Sequence, residues 1–404
     1  MYNVNDVLMG GNRIKNIFSH QDEQWHAKYI RPVKNIYSLT RVQDFELGVD
    51  MTLNLFLDKV RERFVSTGQP CEMSDYISFF AWDSMSQITF SKNLGLLEAG
   101  RDPGKMLETA SKSLDYFASI CQIPQLDMWL DKNPVCRVGP PGFGWTVQFS
   151  LEQYSKRARE GKPEQHEYSD FIDKYLEAKE KNPEVVDDNT ILMYMIANVT
   201  AGSDTTASTM CAAVYYVLRN PAVYNRLREE LRAANLTMPA QWKEIRDLPY
   251  LNAVMRESMR INPGVGLMVE RIVPKGGFTL PDGRFIPEDT IVGMNPWVIN
   301  RNTAVFGPEP DSFIPERWLQ ANDESDEAYQ ARSSRMKSTD FTFGAGPRIC
   351  LGKNISLLES YKFVATVFAT LDMKLKNPER DWKIINSWFV RQENMPVVIT
   401  ERTT

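Results

Sequence analysis

Cys350 closes a short loop, Phe341-Thr-Phe-Gly-Ala-Gly-Pro-Arg-Ile-Cys350, and is followed by Leu351 and Gly352. Gly344 and Gly346 permit backbone angles closed to other residues, and Pro347 fixes the turn between them and the cysteine. The free N–H groups and positive dipole end of a following helix favour a thiolate at such a place. That chemistry suits a nucleophile or a metal ligand. Two other readings compete. A lone cysteine in a Gly-rich turn is commonly just a buried side chain. A dinucleotide-binding loop would need a third small residue, which falls at Ile349, and a βαβ setting that the flanks lack.

Two more residue groups could do chemistry. Ala201-Gly-Ser-Asp-Thr-Thr206 places Gly202, Asp204, Thr205 and Thr206, all poor helix formers, inside a long apolar run. The plain reading is a locally bent helix with hydroxyls bonded back to carbonyls. Glu257-Ser-Met-Arg260 sets opposite charges on one helix face at i,i+3. Glu98/Arg101 and Glu229/Arg232 share that spacing and read as surface pairs. Arg317, in Phe313-Ile-Pro-Glu-Arg-Trp318, supplies a third charge.

The elements that must position these residues follow from periodicity and caps. Asp187 opens a helix predicted to run to Leu218, and Pro221 opens the next. Residues 247–260 form another helix. Beyond Gly352, Ile355, Leu357, Leu358, Tyr361, Phe363, Val364, Val367 and Phe368 recur at helical spacing, so a helix starts just after Cys350. Residues 1–66 read as a loop and then helices, broken at Gly10-Gly11. One of these helices begins near Asp22 and carries Trp25 and His26. Residues 72–122 read as two or three helices with a break at 100–104, and residues 132–144 as a Pro- and Gly-rich connector. From 263 to 318 the texture changes, with short strand-like runs at 267–273, 278–280 and 290–294. Residues 382–399 resemble a hairpin, with Trp388 and Phe389 near its turn closing the core. The polar run 320–338 is the nearest thing to a linker. The fold class is mainly α with a small β portion.

Composition narrows the function classes. The chain has 404 residues and 43% hydrophobic content, enough for a large core. A net charge of −5 argues against nucleic acid as a partner. Five widely spaced cysteines without a CxxC do not make a disulfide framework, and three histidines do not make a histidine-rich metal site. No apolar stretch is long enough to span a bilayer, and no signal peptide or internal repeat stands out.

The string Phe343 to Gly352 reads Phe-Gly-x-Gly-x-Arg-x-Cys-x-Gly and resembles the haem-binding signature of the cytochrome P-450 family. Ala-Gly-x-Asp-Thr-Thr resembles that family's oxygen-activation motif, and Glu257-x-x-Arg260 and Pro-Glu-Arg-Trp318 follow in the family's order. The resemblance covers nearly the whole chain and is closest to fungal pisatin-demethylase-like members, notably through Trp25-His-Ala-Lys-Tyr-Ile-Arg-Pro.

The resemblance implies one P-450 domain over 1–404, with a haem b between the long helix and the cysteine loop. Cys350 would be the axial iron ligand. Asp204 and Thr205 would deliver protons during oxygen activation. His26, Arg271 and Arg348 would meet the haem propionates, with Phe343 beside the ring, and Glu257, Arg260 and Arg317 would form a buried network. The resemblance also implies O2, a small apolar organic substrate, hydroxylation or O-demethylation, and a monomer. An NADPH-dependent flavoprotein reductase or cytochrome b5 would supply electrons, docking on Arg332, Arg335, Lys337 and Lys353. Residues 132–144 would lie near a lid over the substrate. Full-length relatives sit on the cytosolic face of the endoplasmic reticulum membrane, and this chain lacks their usual anchor, first helices and two strands. The alternatives are a haem-thiolate isomerase or dehydratase, and a truncated, non-catalytic haem-binding product.

Overall fold

A computed structural model describes residues 2–9, 12–140, 144–162 and 168–402. Helices hold 57% of the chain, and small antiparallel sheets account for the strands. Local signals set the helix ends. Asp22 caps α1 (Glu23–Ile30) by accepting from the N–H groups of Gln24 and Trp25. Helix α2 (Glu46–Val60) leads through an extra turn to α3 (Met73–Phe90), whose side chains are buried almost throughout. A short α4 (Leu96–Ala99) ends on Gly100 in the left-handed conformation, and α5 (Met106–Ile120) begins after that break.

Helices α6 (Gly144–Glu160) and α7 (Phe171–Lys181) precede the longest, α8 (Asp188–Arg219). Asp187 caps α8 through the N–H of Thr190, two residues inside a run that is apolar on most faces. Pro221 and Pro249 stand at the first positions of α9 (Pro221–Ala233) and α11 (Pro249–Ile261), with the short α10 (Trp242–Ile245) between them. Two single-turn helices, α12 (Pro296–Ile299) and α13 (Thr303–Phe306), precede α14 (Asp326–Thr339) and α15 (Lys353–Thr370).

The strands flank this helical body. Strands β1 (Val7–Met9) and β2 (Asn12–Ile14) form a hairpin, and β3 (Cys71–Glu72) will join a C-terminal sheet. Strand β4 (Val269–Ile272) pairs with β7 (Ile291–Met294), and β5 (Phe278–Thr279) with β6 (Phe285–Ile286). At the C-terminus β8 (Leu371–Leu375) pairs with β11 (Pro396–Glu401), which also holds β3. Strands β9 (Lys383–Ser387) and β10 (Phe389–Glu393) make a tight hairpin.

The sequence reading differs from the structure at specific places. The hairpin β1–β2 stands where an unstructured start is expected; its turn at Gly10-Gly11 lies outside the described residues, as does 141–143 of the expected connector. The linker-like run 320–338 mostly folds as α14, which buries Ser333 and sets Met336 against Ala253, Phe306 and Trp318. Tyr329 and Arg332 add hydrogen bonds to the carbonyls of Trp318 and Leu319, so a helix of mostly polar surface is seated. Neither Glu98–Arg101 nor Glu229–Arg232 closes to an ion pair; Glu98 reaches Lys59 at 2.8 Å instead. No helix among the described residues is long and apolar enough to cross a membrane, so the expected membrane attachment finds no span here.

Helices α3, α8 and α15 pack on one another at the centre, and each pair shares one polar tie. The indole N–H of Trp82 (α3) donates to Asp204 (α8) at 2.7 Å. Thr206 (α8) donates to the hydroxyl of Ser356 (α15) at 3.1 Å. Ser84 (α3) donates to Glu359 (α15) at 2.6 Å.

Candidate active site

The cysteine loop is shaped by two backbone bonds. The N–H of Gly344 donates to Phe341 O at 3.0 Å, and that of Cys350 donates back to Phe343 O at 2.9 Å. Gly344 and Gly346 both take positive φ, 69° and 71°, which the loop could not hold with most other residues. Lys353 sets its ammonium over the Phe343 ring, 5.6 Å from the centroid.

Cys350 is exposed on its open side while the loop walls it on the others. Burial pushes its thiol above the ordinary value, against the pull of the Gly352 and Lys353 N–H groups and the Lys353 charge. The helix N-terminus does offer the expected donors, but desolvation outweighs them. A cation at the sulfur would tip that balance toward thiolate.

Helix α8 is tied to α15, the helix that follows the loop, by Thr206 and Ser356. It stays α-helical through 201–206, and two hydroxyls bond back to carbonyls one turn earlier, as the plain reading expects. Ser203 donates to Val199 O and Thr205 to Ala201 O, both at 2.8 Å. Ala201 is exposed in the middle of this otherwise buried helix, and Thr205 is half-buried beside it. The partly exposed stripe of α8 that includes Ile196, Ala197 and Thr200 is most open at this turn. A Cβ at Gly202 would lie 2.9 Å from the Met85 methyl, which explains glycine there. On the far side of Thr205, Gly264 comes so close that a Cβ would sit 3.3 Å from that of Thr205. Burial raises the Asp204 carboxyl to about 6, while the Trp82 donor and Arg391 pull it down.

Glu257 and Arg260 are completely buried. Arg260 grips the Glu257 carboxylate with two bonds of 2.8 Å and also donates to the carbonyls of Asn300, Pro310 and Ser312. Arg317 reaches the same carboxylate at 3.3 Å, and the N–H of Ile314 at 3.0 Å. The indole of Trp318 adds a bond of 2.9 Å, a member that charge spacing does not point to.

The residues expected to meet a cofactor's carboxylates share one neighbourhood. Arg271 on β4 donates to the Tyr2 hydroxyl at 3.1 Å, and the charge of Arg348 also acts on that hydroxyl. Arg348 holds Glu23 of α1 at 3.0 Å and His20 O at 2.8 Å, which docks α1 on the cysteine loop. His26, half-buried on α1, is pushed below the ordinary histidine value by burial and by Arg348. Tyr2 carries no motif and was not anticipated.

Other expectations resolve differently. Arg332 is not a free docking charge: it pairs with Glu324 at 2.7 Å and donates to Leu319 O. Arg335 and Lys337 remain exposed on α14. Trp388 is buried in a second apolar cluster with Val4, Phe117 and Cys121, against which Phe389, Val265 and Leu267 pack.

The sequence profile of the cytochrome P-450 family matches residues 3–399. The chain belongs to the cytochrome P-450 family. It is 40% identical over 99% of its length to the cytochrome P-450 monooxygenase cfoH of Aspergillus candidus, covering 75% of that protein. It is 35% identical over 98% of its length to the monooxygenase cicH of Emericella nidulans, covering 80% of it. The monooxygenase vrtE of Penicillium aethiopicum is 31% identical over 97% of the chain, with 74% of vrtE covered. This cytochrome P-450 is thus an oxygenase enzyme, and its family implies a haem, O2, a substrate and a redox partner.

The residues fit a haem. A Cβ at Gly344, Gly346 or Gly352 would meet no atom within 4 Å, so the glycines leave the loop's outer side clear for a flat ring. The one soft donor is a cysteine at a helix N-terminus, and the nearby cations Arg271 and Arg348 suit two carboxylates.

Proposed function

We propose that the chain is a single-domain haem-thiolate monooxygenase that inserts one oxygen atom from O2 into a small apolar organic molecule. Hydroxylation or O-demethylation in fungal secondary metabolism or detoxification is the reaction class. The observation that carries this reading is Cys350 on its glycine loop just ahead of α15, the helix that Ser356 ties to α8 next to Thr205.

When bound, the haem b would supply the O2-activating redox chemistry, which a thiolate ligand promotes by pushing electron density to the iron. Cys350 would be that ligand, steadied by the N–H groups of Gly352 and Lys353. Arg271, Arg348 and His26 would hold the carboxylate edge, and Phe343 would flank the ring. Asp204, with a carboxyl titrating near neutrality, can hold a proton at a carboxylate oxygen. Thr205 can pass one at Oγ1 by giving up its bond to Ala201 O. Such acid–base assistance contributes about 10²–10⁴-fold in rate. The apolar cluster of Phe117, Trp388, Phe389 and Val265 supports an apolar guest. Electrons would come from an NADPH-dependent flavoprotein reductase, with Arg335, Lys337 and Lys353 as the docking charges. A haem-thiolate isomerase or dehydratase would have no use for the Asp204–Thr205 pair.

The test is the absorption spectrum of the purified protein, reduced and treated with carbon monoxide. A strongly red-shifted Soret band, lost in Cys350→Ala, is expected. A protein that takes up haem but shows the band of a neutral ligand would sink the reading.

A further inference from the structure

Tyr2 bonds to one of the two arginines assigned to the carboxylate edge and lies in the field of the other. Its hydroxyl donates to the Glu270 carbonyl at 3.1 Å and accepts from Arg271 Nη1 at 3.1 Å. The charges of Arg348 and Glu270 also act on that hydroxyl.

Neither guanidinium is saturated. Arg271 places Nη1 on Tyr2 and on Glu270 O, and its Nε and Nη2 find no hydrogen-bond partner among the described residues. Arg348 commits Nε to Glu23 and Nη2 to His20 O, and its Nη1 likewise finds none. A guanidinium fork with open donors matches a carboxylate. Helix α1 brings His26 under the charge of Arg348 but supplies no guanidinium of its own to this edge. Ile30 stands one turn after His26, and Arg31 is exposed at the C-cap.

The tyrosine is held from behind. Its ring meets Phe18 edge-on at 5.2 Å, and Phe18 meets the buried Trp388 at 5.9 Å. Val4, two residues on, is buried with Phe117, Cys121 and Trp388, and its carbonyl accepts from Lys132 at 3.3 Å. Burial raises the Tyr2 hydroxyl above the ordinary tyrosine value, against the pull of Arg271, so it keeps its proton and serves as a donor. The ring is fixed and the O–H is free to rotate. Turning that one hydrogen away from Glu270 O is all it needs to reach a new acceptor.

We propose that Tyr2 is a further binding residue of the carboxylate edge, donating its hydroxyl to a haem carboxylate oxygen beside Arg271. The assignment rests on the haem-binding reading given above.

The test compares the haem-loaded full chain with Tyr2→Phe, which keeps the ring on Phe18 and removes only the hydroxyl. With excess apomyoglobin as scavenger, the variant should lose ferric haem about 3- to 10-fold faster, as the loss of one hydrogen bond implies. In resonance Raman spectra its haem propionate bending band should shift from the parent position. The red-shifted Soret band of the reduced carbon monoxide complex should stay as in the parent. Parent-like haem loss with an unmoved propionate band would overturn the assignment. Faster loss with an unmoved band would overturn it too, since the tyrosine would then act through the fold alone. A parent that takes up haem without the thiolate band fails the proposed monooxygenase, and the two readouts still decide for or against Tyr2. A parent that takes up no haem overturns both.

Discussion

The indole N–H of Trp82 donates to the Asp204 carboxylate at 2.7 Å, and no other side-chain donor among the described residues reaches that carboxylate. Asp204 lies in the turn of α8 that also carries Thr205, and Trp82 is buried in α3. A single hydrogen bond thus helps set where this acid titrates.

Removing that donor should raise the acid further. Burial holds the Asp204 carboxyl at about 6, above the ordinary value, and Trp82 is the main restraint. A hydrogen bond to a charged group is worth roughly 1.5–3 kcal/mol, and one pH unit about 1.4 kcal/mol. Trp82→Phe should therefore move the half-protonation point up by about one unit or more. Difference infrared titration of the carboxyl band, with Asp204→Asn as the blank, reads it directly. A midpoint unchanged from the parent would show that burial alone sets the value.

The Glu257 carboxylate collects Arg260, Arg317, Trp318 and the Ile314 N–H. Arg260→Leu would strand a buried charge and should cost ~3–5 kcal/mol in denaturant unfolding. Trp318→Phe removes one donor of four partners and should cost about 1–3 kcal/mol. If the tryptophan variant lost as much as the arginine variant, packing rather than hydrogen bonding would be the larger part.

Glu359 is buried, has Ser84 as its partner on one oxygen, and among the described residues finds no hydrogen-bond partner for its Oε2. Burial raises its carboxyl to about 8, with Ser84 pulling it down in part. The unfolded chain ionises this group near 4.5, so it binds fewer protons than the folded one between those values. Stability from Glu359 is accordingly full below about 4.5 and is lost as pH rises toward 8. Glu359→Gln should flatten the fall in unfolding midpoint across that window and be the more stable protein at pH 8. Parallel curves for the two proteins would refute the assignment.

Much of the site is legible in the residues because its signals are local. Two positive-φ glycines, a proline and a cysteine lie within ten positions, and Asp187 and Pro221 bracket α8 by capping chemistry that acts over three residues. The partners that tune the site are not legible. Trp82 and Asp204 are 122 positions apart, Ser84 and Glu359 are 275 apart, and nothing in either segment names the other. Composition misleads in the same way at α14, where a polar run looks like a linker until Trp318 and Phe306 give Met336 a place to go. Arg332 looks like a surface charge for a similar reason, since Glu324 must first be brought to it by that helix.

The three ties among α3, α8 and α15 have a mechanical consequence. Three rods pinned pairwise make a triangle, the one frame that cannot shear without stretching a joint. Thr205 stands between two joints, those of Asp204 and Thr206, and Cys350 just ahead of α15. Thr205 and Cys350 are therefore both carried on members of this one frame. Cutting Thr206–Ser356, or either other pin, leaves that pair of helices held by apolar packing alone.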